Sequence, residues 1–186
     1  MRFFLALEIP DQEKPKFQAI QQKLQEILPQ ARITNSDKLH LTFAFIGEQP
    51  DSMLEPLTQV LQQAAKGIAP FEITPAYIDG FPNIHNPKII WAGVKGDIDK
   101  IVILRERIKD GLERLHLDMD ERRFVPHISI AKLNGNAEIS TQTEEKLQEL
   151  IQNAFTPIHI SSIKLFESIP SEGFHKHNTL SEVKLG

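Results

Sequence analysis

Two short stretches of this chain repeat the same polar residues at the same phase: His40-Leu-Thr-Phe-Ala44 and His127-Ile-Ser-Ile-Ala131, separated by 87 residues. Each offers an imidazole and, two residues on, a hydroxyl. Side chains alternate across a strand, so His40 and Thr42 share one face, as do His127 and Ser129. Imidazole titrates near 6.5, so one member of such a pair can accept a proton while the other donates one near neutral pH. Thr42 and Ser129 can donate hydrogen bonds to oxygens on which negative charge builds. An acid and a base on opposite sides of a cleft, with hydroxyls between them, suit attack of water on a phosphodiester and protonation of the departing oxygen.

The pattern His-x-Thr/Ser alone selects little, because four of the seven histidines satisfy it: His40, His127, His159 and His177. For one strand histidine, a hydrogen-bonded structural role is the ordinary explanation. Symmetry decides between them. The 87-residue offset that superposes His40 on His127 also aligns Phe3 with Ile90, Gln12 with Asp99, Met53 with Ser140 and Phe71 with Ile158. His159 instead meets Glu72, and His177 has no counterpart.

The elements that must hold these residues follow from periodicity. Strands are expected at Phe3–Ile9, Leu39–Ile46 and from Phe71 towards Ile78, with helices near Gln12–Leu28 and Met53–Ala65. Phe17, Ile20, Leu24, Ile27 and Leu28 give the first helix one apolar face. After the turn Phe81–Pro87 the order repeats: strand Lys88–Val94, helix Ile98–Leu115, strand Phe124–Leu133, helix Thr141–Asn153, strand Ile158–Phe166, and an extended stretch near Thr179–Leu185. The expectation is one domain over residues 1–186, built as two similar βαβαβ lobes that face each other across a cavity about as wide as a phosphate.

Composition narrows the function classes. With 186 residues, 40% apolar and 25% charged, the chain is an ordinary globular one. Absence of cysteine excludes a thiolate nucleophile, a thiolate zinc site and a disulfide framework. No Gly-Lys-Ser/Thr loop or Gly-x-Ser-x-Gly turn occurs, so the usual nucleotide-triphosphatase and serine-hydrolase readings fall away. His175-Lys-His177 has a spacing that metals use, but no acidic cluster completes it, and a mobile polar tail is expected there. No cofactor and no metal are expected. Neither a signal segment nor a spanning run is present, so a cytoplasmic location without membrane contact is expected. The net charge of −4 speaks against sequence-independent gripping of long nucleic acid, though not against holding a strand end.

The two motifs resemble the paired signatures of the 2H phosphoesterase superfamily, and in particular its RNA 2′,3′-cyclic phosphodiesterases, the 2′–5′ RNA ligase-like proteins. The likeness extends to Arg2–Pro10, Gly80-Phe-Pro82, Ile89-Ile-Trp-Ala-Gly-Val94, Arg123-Phe-Val-Pro-His127 and Leu165-Phe-Glu-Ser168. It implies an α+β, bilobal fold, with two pseudo-symmetric lobes, an antiparallel sheet in each, helices outside and the active-site cleft between. It implies hydrolysis of a 2′,3′-cyclic phosphate to a 2′-phosphomonoester, with His40 as proton donor and His127 as proton acceptor. Leu41, Phe43, Ile128 and Ile130 are the apolar motif positions. Three departures stand out: Ser129 replaces a more usual Thr, Lys132 replaces a frequent Arg, and Gly173-Phe-His-Lys-His177 lacks a tyrosine.

Further substrate contacts are assigned to Arg123, Lys132 and Phe4, the last by stacking on a terminal base. Arg122 also flanks the second motif, while Phe45 and Trp91 are read as core. The resemblance implies as partner an RNA ending in a 2′,3′-cyclic phosphate, or a small cyclic nucleotide, and a monomer is expected to bind it. Two other functions stay open: 2′–5′ ligation as the reverse reaction in the same cleft, and a non-catalytic module that holds RNA ends.

Overall fold

The computed structural model describes residues 1–119, 123–134 and 137–186. Its strands are β1 (Arg2–Glu8), β2 (Arg32–Ile33), β3 (His40–Glu48), β4 (Phe71–Phe81), β5 (Ile89–Gly96), β6 (His127–Lys132), β7 (Ile158–Ile160), β8 (Ser162–Ser171) and β9 (Phe174–Lys184). The helices are α1 (Lys14–Ile27), α2 (Leu54–Ala65), α3 (Ile98–Arg114) and α4 (Thr141–Ile151). Among the described residues no helix is long and apolar enough to cross a membrane. Helix α1 begins two residues later than its apolar period suggests, because Asp11–Glu13 form a short 3-10 turn.

The strands lie in the order β7-β4-β5-β6-β3-β1-β8-β9, with β2 added beside β6, and every pairing is antiparallel. Two four-stranded halves, β7-β4-β5-β6 and β3-β1-β8-β9, meet where β3 touches β6, through the single pair Leu41 and Ile128. Those two positions are 87 residues apart, as are Glu72 and His159, which face each other where β4 pairs with β7. A pseudo-two-fold relation thus passes through both seams. Since β7 runs on into β8, the sheet curls back towards itself, and one concave face looks inward.

The halves are not the consecutive βαβαβ units expected from the sequence. In the first, β1 and β3 take β8 as neighbour, not β4; in the second, β5 and β6 take β4. Helices follow the same exchange: α2 and α3 cover the first half, while α1 and α4 cover the second. The first repeat lends α1 and β4 to the other lobe, and the second lends α3 and β8 while keeping β7. An internal offset in a sequence is the same for exchanged and unexchanged units, and so are the apolar faces to be buried.

The large core lies between the helices and the convex face of the sheet. It takes in Phe3, Leu5, Leu7, Leu41, Phe43, Ile128 and Ile130, together with Phe17, Leu24, Leu57, Leu61, Ile101 and Leu104. The apolar motif residues therefore anchor their strands and leave the polar ones facing the concavity. Within each lobe, polar ties join one repeat to the other at matching places. Gln21 of α1, only 2% exposed, donates through Nε2 to the carbonyls of Thr34 (2.8 Å) and Ile130 (2.9 Å). Arg105 of α3 donates to the carbonyl of Phe43. Phe43 and Ile130 are equivalent in the two motifs, so each motif strand is pinned one residue past its hydroxyl by a helix from the other repeat. Replacing Gln21 by Leu takes a side-chain donor from both carbonyls, of which Ile130 keeps the Thr34 N–H at 3.0 Å, and urea unfolding is expected to show a loss of roughly 1–3 kcal/mol.

Candidate active site

Antiparallel continuation of the Leu41 to Ile128 register sets His40 opposite Ser129 and Thr42 opposite His127. All four polar side chains therefore stand on the concave face at the seam between lobes. Only one residue pair bonds the two strands, so they diverge on either side of it. Thr42, His127 and Ser129 are half-buried, whereas His40 is 7% exposed.

Each imidazole is fixed by its own chain. His127 Nδ1 donates to the carbonyl of Val125 at 2.7 Å; a carbonyl only accepts, so neutral His127 has its proton on Nδ1 and a lone pair on Nε2. A backbone hydrogen bond with Lys38 favours the charged form of His40, so the ring donates and the Lys38 carbonyl accepts; Nε2 is buried without a partner, which leaves Nδ1 as the donor. Lys38 and Val125 each precede their histidine by two residues. The same tautomer is thus set twice by the same local device.

Aromatic rings wall both histidines. Phe4 meets His40 edge-on with centroids 5.6 Å apart, Phe166 lies at 4.7 Å and His177 at 5.1 Å. On the other side Phe81 meets His127 edge-on at 4.9 Å and Trp91 lies at 5.5 Å. Phe4 and Trp91 are equivalent under the 87-residue offset, so the aromatic wall shares the symmetry of the histidines. Burial, and then the charge of His177, Lys14 and Lys164, push His40 down to a pKa of about 3. Burial also lowers His127, partly opposed by the Val125 bond. Both are therefore neutral near pH 7 in the empty cleft.

A family model described as the 2′-5′ RNA ligase superfamily matches residues 17–165, a span that includes both motifs. The chain belongs to that superfamily. A Methanothermobacter thermautotrophicus relative named RNA 2′,3′-cyclic phosphodiesterase is 25% identical over 172 residues, 90% of this chain and 86% of that protein. One of the same name from Thermotoga maritima is 27% identical over 161 residues, 87% and 82%. A third, from Geobacillus stearothermophilus, is 28% identical over 130 residues, but these make up 70% of this chain and 41% of that protein, so the chain spans less than half of it. Among solved structures, a Thermus thermophilus protein superposes with a TM-score of 0.80 at 21% identity, covering 100% of this chain and 98% of that one. E. coli LigT, solved with 3′-AMP, gives 0.75 at 20% identity, covering 99% and 97%. These likenesses show the α+β fold.

Within this 2′–5′ RNA ligase fold the remaining sequence candidates fall differently than expected. Phe4 is 2% exposed and stacked on Phe166 at 4.9 Å, so its ring supports His40 and has no free face for a base. Phe45, expected in the core, is 74% exposed beside Phe4. The cause is a bulge in β3: the pairing shifts between Leu5 and Ala6, turning Ala44 inward and setting Phe45 opposite Phe4 on the concave side. Trp91 is buried as expected. Arg123 and Lys132 are exposed at the two ends of the second motif, and Arg122 lies outside the described residues.

Two residues of the concave face escape a reading by motif. Tyr77 crosses Trp91 edge-on at 5.9 Å and lies over Gly93, where a Cβ would sit 2.0 Å from its ring. Gly93 pairs with His127 across β5 and β6, which brings Tyr77 to the second histidine's side. Only a residue without Cβ at position 93 admits that ring. The expected mobile tail His175–His177 is instead part of β9, with Ser168 opposite His177. The β8–β9 hairpin returns His177 to the wall of His40.

Proposed function

We propose that this chain hydrolyses RNA 2′,3′-cyclic phosphate ends to 2′-phosphomonoesters, with His40 as the acid and His127 as the base and without a metal. Its membership of the superfamily and its relatives' names support a phosphodiesterase of this type acting on RNA or a nucleotide. The observation that carries the finer reading is the matched pair of imidazoles, each locked with Nδ1 on a carbonyl and each beside a hydroxyl from the facing strand. Binding alone has no need of two identically oriented proton carriers.

In the reaction, His127 Nε2 takes a proton from water as its oxygen bonds to phosphorus. The bond from phosphorus to O3′ breaks, and O3′ receives the proton of His40 Nε2, leaving a 3′-hydroxyl and a 2′-phosphate. Thr42 and Ser129 donate to the non-bridging oxygens. His40 is neutral in the empty cleft, so its proton arrives with the anionic substrate, whose charge favours the imidazolium. Among the described residues no group of three or more His, Cys, Asp or Glu is placed to hold a metal ion.

The test is incubation with an oligoribonucleotide ending in 2′,3′-cyclic phosphate in the presence of EDTA, followed by identification of the new end. A 2′-phosphate, formed at the same rate with or without the chelator, is the expected product. A 3′-phosphate would reverse the roles of the leaving oxygens, and loss of activity on chelation would sink the metal-free mechanism. An oligonucleotide with a free 5′-hydroxyl in the same mixture reports ligation as a joined product.

A further inference from the structure

We infer that His177 is a positioning residue that relays protons between solvent and His40, recharging the acid after each turnover. The inference rests on the proposed two-histidine mechanism. Each cycle in that mechanism ends with a proton gained by His127 and one lost from His40, so the site must shed the first and restore the second. His127 is half-buried and can exchange with water. His40 is 7% exposed, and the sides of its ring are taken by Phe4 and Phe166, which carry no proton.

His177 is the titratable ring in that wall. It lies 5.1 Å from His40 between centroids, tilted by 36°, and packs edge-on against Phe4 at 4.8 Å. His40 Nε2 and His177 Nδ1 are both buried and both without a partner, so two adjoining rings each hold an unused nitrogen. A partnerless buried nitrogen costs stability, and two on adjoining rings are relieved together by one shared proton or a single bridging oxygen. His177 itself is half-buried, so part of the residue meets solvent.

The transfer balances without any other reactant. Hydronium or a buffer acid gives a proton to His177 Nε2, His177 Nδ1 passes its own proton to His40 Nε2 through a bridging oxygen, and the ring regains its starting tautomer by turning Nδ1 out to water. The surrounding charges keep the proton moving. Lys38, His175 and Lys132 act on His177, while Lys14 and Lys164, both paired to Glu8, act on His40. Burial and these cations hold His177 down to a pKa of about 4, so it is a conduit that does not retain the proton near pH 7.

The test compares His177→Ala, which leaves room for a small molecule, with His177→Phe, which fills the place with a ring that carries no proton. With saturating cyclic phosphate substrate at constant pH, kcat of both is expected to fall about tenfold or more with little change in KM. Added imidazole is expected to restore kcat in His177→Ala and not in His177→Phe. A raised KM with unchanged kcat would make His177 a substrate contact, and a fall in kcat that imidazole does not repair would make it a structural one; either overturns the relay. Ring 15N spectra over pH, with inorganic phosphate bound, decide the matter without turnover: His40 is expected to titrate jointly with His177 and to lose that coupling in His177→Phe. A His40 titration identical in wild type and variant overturns the inference. A wild type inert on cyclic phosphate defeats the proposed function instead, with the spectra still reporting on the pair.

Discussion

His40→Gln is expected to abolish turnover and, in the same molecule, to make the protein more resistant to acid. The first half follows from the acid role: without a proton to place on O3′, the rate falls by about 10²–10⁴. The second half follows from burial. The folded chain holds His40 at about 3, below its ordinary value of 6.5, so folding favours the neutral ring. The stability this contributes is complete above pH 6.5. It is lost as pH falls from there towards 3, because the unfolded chain binds a proton that the folded chain refuses. Glutamine has nothing to protonate and escapes that loss. By urea unfolding, the variant is expected to gain on the wild type by up to about 2–3 kcal/mol on going from pH 7.5 to pH 4.5. The joint result separates catalysis from integrity, because a variant that simply misfolded would lose activity and stability at both pH values. A gap between the two proteins that is the same at both pH values would mean that His40 is not held neutral by its surroundings.

The paired histidines were legible because a strand keeps its alternation and a repeat keeps its offset. Two polar residues at positions i and i+2 must share a face whatever the topology, and the core residues Leu41, Phe43, Ile128 and Ile130 turn the other way. Exchange of α1 and β4 between lobes was not legible, since it leaves every local pattern intact. Alternation failed at Phe45, where one bulged residue reverses the phase and puts an aromatic ring on the concave face. His177 was hidden for another reason. Its neighbours Phe174, His175 and Lys176 are exposed and read as a polar tail, and only the long pairing of β8 with β9 returns the residue to His40. Tyr77 needed knowledge of what lies beneath it, a glycine on the next strand. Each miss depends on a partner distant in sequence.

Thr42→Val and Ser129→Ala are each expected to lower kcat by about 10²–10³ and to change KM far less. Both hydroxyls stand opposite a histidine of the facing strand, so they border the space in which phosphorus becomes five-coordinate. A hydrogen bond that strengthens only as the non-bridging oxygens gain charge lowers the barrier without tightening the ground state. Such a loss appears in kcat and kcat/KM equally, and steady-state kinetics on one cyclic phosphate substrate distinguishes it from simple binding. Ser129→Thr serves as the control: it keeps the hydroxyl, adds one methyl at a half-buried strand position, and is expected to retain most of the activity. If the two deletions raise KM while sparing kcat, the hydroxyls grip the substrate before reaction, and the burden of stabilising the transition state passes to His40 and to the cations beyond the second motif, Lys132 foremost.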